Sequence, residues 1–147
     1  MKMEYSFRPA NPEDQAQLFE LYQAVMGGYI EQIWGWDSRW QKDDFSEHVD
    51  PEQITVVLRE SQPIGYVQVE KHSDELYIRM LLIAPEHQKK GLGANILKRI
   101  ISSASKQHLG VKLQVFKINA PARRFYERHG FKVVGETPAS LEMALYA

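Results

Sequence analysis

The chain has no cysteine among its 147 residues, which excludes a disulfide framework, a thiolate metal site and a cysteine nucleophile. It also lacks net charge. Its 18 Lys and Arg against 19 Asp and Glu leave −1, so no global basic field draws it to nucleic acid or anionic lipid. No apolar run approaches the length that spans a bilayer, and the start, Met1-Lys2-Met3-Glu4-Tyr5, has no signal-peptide core. A cytoplasmic protein that uses neither membrane nor nucleic acid is the expectation. The five histidines, His48, His72, His87, His108 and His129, show no metal-ligand spacing, so no metal is expected and surface placement is the default. No repeat or low-complexity linker breaks the sequence. What remains is ordinary for a globular protein, 44% hydrophobic and 25% charged, and the length suits one domain over residues 1–147.

Periodicity predicts the elements. Residues 3–8 alternate and stop at Pro9, a short first strand. Asn11 caps a helix with Pro12 at its first position and Glu13 and Asp14 in its first turn. Leu18, Leu21, Tyr22 and Val25 recur at helical spacing, and Gly27-Gly28 is expected to stop the run. A second helical region breaks near Gly35, with Asp37 capping its continuation toward Val49. From Ile54 the period changes to two. Ile54–Glu60 and Ile64–Lys71 read as a hairpin with its turn around Gln62-Pro63, and Glu75–Ile83 as a third strand. In that strand Leu76, Ile78, Met80 and Leu82 share one face; Glu75, Tyr77, Arg79 and Leu81 share the other. A loop over Ala84–Lys90 leads to a helix from Gly91 to about Leu109, with Leu92, Ile96, Leu97, Ile100 and Ile101 in its core stripe. Lys112–Phe116 is a strand, Ala120–His129 a helix, and Phe131–Val134 and Leu141–Leu145 the last strands. The order β-α-α-β-β-β-α-β-α-β-β gives a mixed sheet with helices on its faces, an α+β fold.

Gln88-Lys89-Lys90-Gly91-Leu92-Gly93, between a strand and a long helix, carries the chemistry. A helix N-terminus offers unpaired N–H groups and partial positive charge to an anion. Gly91 and Gly93 let a bulky ligand approach the backbone, and Lys89 and Lys90 add positive charge at the rim. These features read as a pyrophosphate cradle. Gly93-Ala94-Asn95 lacks the Lys-Ser/Thr of a nucleotide P-loop, and Ile96 stands where a dinucleotide fingerprint needs a third glycine.

The run Leu81-Leu82-Ile83-Ala84-Pro85-Glu86-His87-Gln88-Lys89-Lys90-Gly91-Leu92-Gly93 resembles the acetyl-CoA signature of the GNAT superfamily of N-acetyltransferases. That signature is an apolar strand end, a Pro, then Gln/Arg-x-x-Gly-x-Gly/Ala. Further on, Asn119-Ala120-Pro121-Ala122-Arg123-Arg124-Phe125-Tyr126-Glu127-Arg128-His129-Gly130-Phe131 resembles its second signature, Asn-x-x-Ala…Tyr-Glu-x-x-Gly-Phe. The resemblance covers about residues 54–146, and the first 50 match in layout only. It implies a mostly antiparallel sheet of six to seven strands with about four helices, and acetyl-CoA as donor. It implies that Leu81, Leu82 and Ile83 bond the pantetheine arm through their backbone and that the N–H groups of Gln88, Lys89, Lys90, Gly91, Leu92 and Gly93 hold the pyrophosphate. Asn119 is implied to contact the pantetheine, Ala122 to give room beside it, and Tyr126 to sit near the sulfur.

Acetyl transfer to an amine needs a neutral amine, a donor for the carbonyl oxygen and a proton for the leaving thiolate. A phenol of pKa ~10 can protonate a thiolate whose conjugate acid lies near ~8.5. Tyr126 is therefore the expected general acid, against the plain alternative of a core tyrosine, and the Leu82 backbone N–H is the expected oxyanion donor. The base is open. Gln114 occupies the position where ribosomal-protein N-terminal acetyltransferases of the superfamily carry a Glu, and Tyr77 the position of the Glu of histone-type members. Glu75, two residues away on the same face, is a water-mediated candidate, with a turn carboxylate as its plain reading.

Tyr29, Trp34, Trp36 and Trp40 cluster in the second helical region. They line a pocket for an apolar or planar acceptor, or they pack in the core. Glu31 and Asp37 are acceptor-ammonium or capping candidates, and Arg123-Arg124 solvate a helix face or meet the 3′-phosphate of CoA. The expected function is acetyl transfer to a primary amine of a small molecule, amino acid or peptide, by a monomer or homodimer. A catalytically silent acyl-CoA-binding module is the rival, and an RNA-modifying member is disfavoured by the −1 charge.

Overall fold

The first helix is set by a reciprocal cap. The Asn11 side chain accepts from the Glu13 N–H at 3.0 Å, while the Asp14 carboxylate accepts from the Asn11 N–H at 2.9 Å. Arg8 holds that same carboxylate with two bonds of 2.8 Å, tying the first strand to the helix start. The Arg8 hydrogen bonds, opposed in part by burial, depress the Asp14 pKa below the usual carboxylate range.

The computed structural model describes residues 4–146. Strand β1 is Ser6–Pro9, and a 3-10 turn over Pro12–Asp14 leads into helix α1, Gln15–Ile33. Met3, the expected first residue of β1, lies outside the described residues. Helix α2 is Ser38–His48, capped by Asp37, whose side chain accepts from the Trp40 N–H. Then follow β2 (Ile54–Arg59), β3 (Gln62–Lys71), β4 (Glu75–Ile83), α3 (Leu92–Lys106), β5 (Gly110–Phe116), α4 (Ala120–Arg128), β6 (Lys132–Glu136) and β7 (Ser140–Leu145). The seven strands form one sheet in the order β1-β2-β3-β4-β5-β7-β6. Pairs β1/β2, β2/β3, β5/β7 and β6/β7 are antiparallel. Pair β4/β5 is parallel, and α3 makes the crossover that a parallel pair requires. This is the α+β architecture and element order expected from the sequence.

Two local expectations are corrected. Gly27-Gly28 do not stop α1, which runs on to Ile33, because its apolar stripe continues past them to the buried Ile30. Packing of that stripe outweighs the weak helix propensity of glycine. The β2–β3 turn lies at Glu60-Ser61, not at Gln62-Pro63. Both turn residues have positive φ, 52° and 67°, as in the tight hairpin turns that match strand twist. Pro63 lies within β3 opposite Leu58, beside a register shift at Val57/Leu58, where its missing N–H is tolerated.

Contacts divide the chain into two compact units. The first holds the described residues through Gln68 together with Met80–Gly93. Its core is Leu18, Ile54, Val56, Tyr66 and Leu82, with Leu21, Tyr22, Val25, Phe45 and Met80 packed against it. The buried Gln68 donates to the His48 carbonyl and to Gln53. The second unit holds Val69–Arg79 and the described residues from Ala94 onward. Ile78, Leu97, Val111, Leu113 and Met143 are buried there. Its β4/β5 ladder covers Glu75–Ile78 with Gly110–Leu113 and stops, although β5 continues to Phe116.

Candidate functional site

In the first unit, the end of β4 and the loop after it are locked by two bonds. The Ala84 N–H donates to the Ile64 carbonyl at 2.7 Å, and the Gln88 carboxamide donates to the Ile83 carbonyl at 2.8 Å. Gly65 on β3 lets this strand end lie close. A Cβ there would stand 2.3 Å from the Leu82 carbonyl oxygen and 3.1 Å from the Ile83 side chain. A glycine interrupting a strand pattern is the signal that marks such an approach.

Within the loop, Lys89 and Gly91 have positive φ, 63° and 80°. Their N–H groups donate to no backbone carbonyl among the described residues. The first N–H groups of α3 have no acceptor within the helix either. A Cβ at Gly91 would meet nothing within 4 Å, so the space above the loop is open. Free donors, a helix N-terminus and exposed Lys89 beside it fit a phosphate-bearing ligand. His87, expected at the surface, lies just before this loop and meets Tyr5, whose hydroxyl is 3.5 Å from its Nδ1.

The α1–α2 turn carries the tryptophans. Trp34 and Trp40 are 65% and 59% exposed. Trp36 packs on Phe19 and Tyr22, with ring centroids 6.1 and 6.4 Å away, and its indole N–H donates to Ser38. Phe45 of α2 packs on the same two rings. Tyr29 is half-buried on α1. Glu31 accepts from the Trp36 N–H and Asp37 from the Trp40 N–H, so both carboxylates hold backbone donors of the turn. Gln41, which the sequence reading passed over, is 7% exposed on the inner side of α2. His48 groups with Asp44 and Glu47, their ligand atoms all within 4.8 Å of one another, and its Nδ1 lies 3.3 Å from an Asp44 oxygen.

In the second unit, Asn119 caps α4 by accepting from the Ala122 N–H at 3.2 Å. This presents Ala122 and Tyr126 on successive turns of one face. Tyr126 is 8% exposed, and Phe125 and Phe131 stand edge-on to its ring at 5.1 and 5.5 Å. Its burial pushes the phenol pKa well above the usual value. Arg123 pairs with Glu127 at 3.5 Å along the helix face. Glu75 opens β4 and lies 3.6 Å from Lys112 Nζ. Gln114 stands opposite Glu142 in the β5/β7 ladder. The half-buried Tyr77 phenol is pushed upward chiefly by desolvation, against the attraction of Arg79. Glu70 joins Arg79 at 3.2 Å and His72 at 3.4 Å, a cluster the sequence did not suggest because it needs the β3–β4 pairing.

Known proteins resemble this chain in sequence and in fold. The family model of the acetyltransferase (GNAT) family matches residues 16–131. The N-acetyltransferase YafP of Escherichia coli is 30% identical over 108 residues, 71% of this chain and 61% of that protein. The 5-NmdU N-acetyltransferase of Pseudomonas phage PaMx11 is 31% identical over 95 residues, 63% of this chain and 66% of that protein. The match thus spans somewhat under two thirds of each relative. The PaiA N-acetyltransferase of Thermoplasma acidophilum, solved in complex with coenzyme A, shares the fold at a TM-score of 0.81 and 18% identity, over 99% of this chain and 100% of that one. With a family match over most of its length, the chain belongs to the acetyltransferase (GNAT) family.

Proposed function

We propose that the chain transfers an acetyl group from acetyl-CoA directly to a primary amine of a small molecule, amino acid or peptide. The observation that carries this reading is the loop of Lys89 and Gly91, whose N–H groups have no backbone acceptor among the described residues and precede the N-terminus of α3. Acetyl-CoA, when bound, supplies an activated thioester. Leu81, Leu82 and Ile83 would hold its pantetheine arm through backbone groups, and Gln88 to Gly93 its pyrophosphate. Asn119 and Ala122 complete the expected contacts.

Within this reading the Leu82 N–H polarises the carbonyl, and Tyr126 keeps its proton throughout the neutral range and donates it toward the sulfur. Glu75 is the weaker assignment. Its carboxylate lies 3.6 Å from Lys112 Nζ, and loss of the amine proton to ordered water is the alternative. The cytoplasm is the proposed compartment; among the described residues no helix is long and apolar enough to cross a membrane.

The test is an amine panel with detection of released thiol. Amine-dependent release, with N-acetylated product, is the expected result. Tight acetyl-CoA binding without release from any amine would instead support the silent binding module.

A further inference from the structure

The loop after β4 is open to solvent almost throughout. Across residues 85–91 only His87 is half-buried, and its six companions are exposed. The hydrogen bonds near it are local. The N–H groups of His87 and Gln88 donate to the Ala84 and Pro85 carbonyls, and the Gln88 carboxamide returns to Ile83. These bonds stop one residue short of Lys89. Lys89 has φ 63°, a left-handed conformation that a residue with a Cβ keeps only where its surroundings enforce it.

A tie from far along the chain reaches the loop at His87. Its partner is Tyr5, 82 residues away. The sheet brings the two together within the first unit. Ser6 lies opposite Leu58, Leu58 opposite Pro63, and the carbonyl of the next residue, Ile64, takes the Ala84 N–H. Strand β1 therefore begins at the end of the sheet where β4 stops. Tyr5 immediately precedes β1, and its ring stands edge-on to His87, with centroids 6.0 Å apart and planes at 88°. The phenol oxygen lies 3.5 Å from Nδ1, a long hydrogen bond, so the ring contact carries most of the tie.

We infer that Tyr5 and His87 form a clasp that holds the loop in the shape that receives the diphosphate of the donor. Tyr5 is a positioning residue: it touches His87, and His87 anchors the backbone two residues before the left-handed Lys89. This inference rests on the acetyl-CoA reading for the identity of the ligand. A loop already in its binding shape avoids the cost of being ordered by the ligand. Without the clasp the loop spends less time in that shape, and affinity for the phosphates falls in proportion. Parts of the ligand held elsewhere keep their contacts.

The first test needs no ligand. Lys89 and Lys90 are trypsin sites inside the loop, and Lys117, in the turn before α4, is the reference site. Limited digestion compares the unmodified chain with Tyr5→Ala, His87→Ala and the double variant. Cleavage after Lys89 or Lys90 is expected to rise about fivefold or more in each variant, with cleavage after Lys117 unchanged. The second test is calorimetric titration with CoA and with pantetheine, which lacks the diphosphate. Each single variant should weaken CoA binding about fivefold or more and leave pantetheine within about twofold, a split that general loss of the fold does not produce. The double variant should bind CoA no more weakly than the weaker single one, because the two residues act as one clasp. Tyr5→Phe keeps the ring and should stay within about twofold of the unmodified chain. Unchanged cleavage at Lys89 and Lys90, equal weakening of both ligands, or additive losses in the double variant overturns the inference. Failure of the unmodified chain to bind CoA would instead sink the acetyl-CoA reading, with the clasp still decided by the digestion.

Discussion

Tyr126, the proposed general acid, joins chemistry to stability. Removing its hydroxyl in Tyr126→Phe is expected to lower kcat by about 10² or more, the range of a lost general acid, with KM for acetyl-CoA within about twofold. Steady-state kinetics with the best amine of the panel decide this; an unchanged kcat would return Tyr126 to a purely structural role. The raised phenol pKa also has a stability consequence with a definite sign. The folded state holds this proton more tightly than the unfolded chain, whose phenol titrates near ~10. The stabilisation is complete below that pH and is lost as pH rises toward the folded value, with a slope of about 1.4 kcal/mol per pH unit. Urea unfolding between pH 9 and 11 should show the loss, and Tyr126→Phe should flatten it. Asp14 runs the other way. Its depressed pKa contributes stability present above about 4 and lost as pH falls further. Asp14→Asn is expected to cost about 1–3 kcal/mol at pH 7, and the difference from the unmodified chain should shrink in acid.

Among the elements, those with strong local chemistry were legible in the sequence. Asn11-Pro12-Glu13-Asp14 announced the first helix, Asp37 the second, and the two-residue period of Glu75–Ile83 the strand that leads to the loop. The failures have a common cause, a local signal overruled by packing. Gly27-Gly28 reads as a stop, yet the helix continues because Ile30 is buried on the same stripe. A Cβ on the exposed Gly28 would meet nothing within 4 Å. Gly28→Ala is therefore expected to raise stability by about 0.5–1 kcal/mol in chemical denaturation, by raising helix propensity. Gly65 is the opposite case, invisible as a functional residue until β3 and the end of β4 are seen together. Gly65→Ala drives a methyl into the Leu82 carbonyl and is expected to cost about 1–3 kcal/mol. It should also weaken acetyl-CoA binding at least tenfold, because the displaced backbone is the proposed pantetheine ledge. Unaltered affinity in a folded variant would remove Leu82 and Ile83 from the site.

At the scale of the whole molecule, the sequence points to a donor site more sharply than to an acceptor site, for a physical reason. A pyrophosphate is met by backbone N–H groups, so a site for one is sought in glycines and a helix start, and Gln88 to Gly93 offers both within six consecutive residues. An acceptor is met by side chains gathered from separate elements, and no spacing rule reveals them. The family match and the shared fold fix the superfamily, and the direct question left is whether the loop binds the donor through its phosphates. Calorimetric titration of the unmodified chain with acetyl-CoA and with acetyl-pantetheine, which lacks the pyrophosphate, answers it. Micromolar binding of acetyl-CoA, with acetyl-pantetheine weaker by about a hundredfold or more, is the expected result. Equal affinities for the two, or no binding of acetyl-CoA, would contradict the pyrophosphate cradle at Gln88–Gly93.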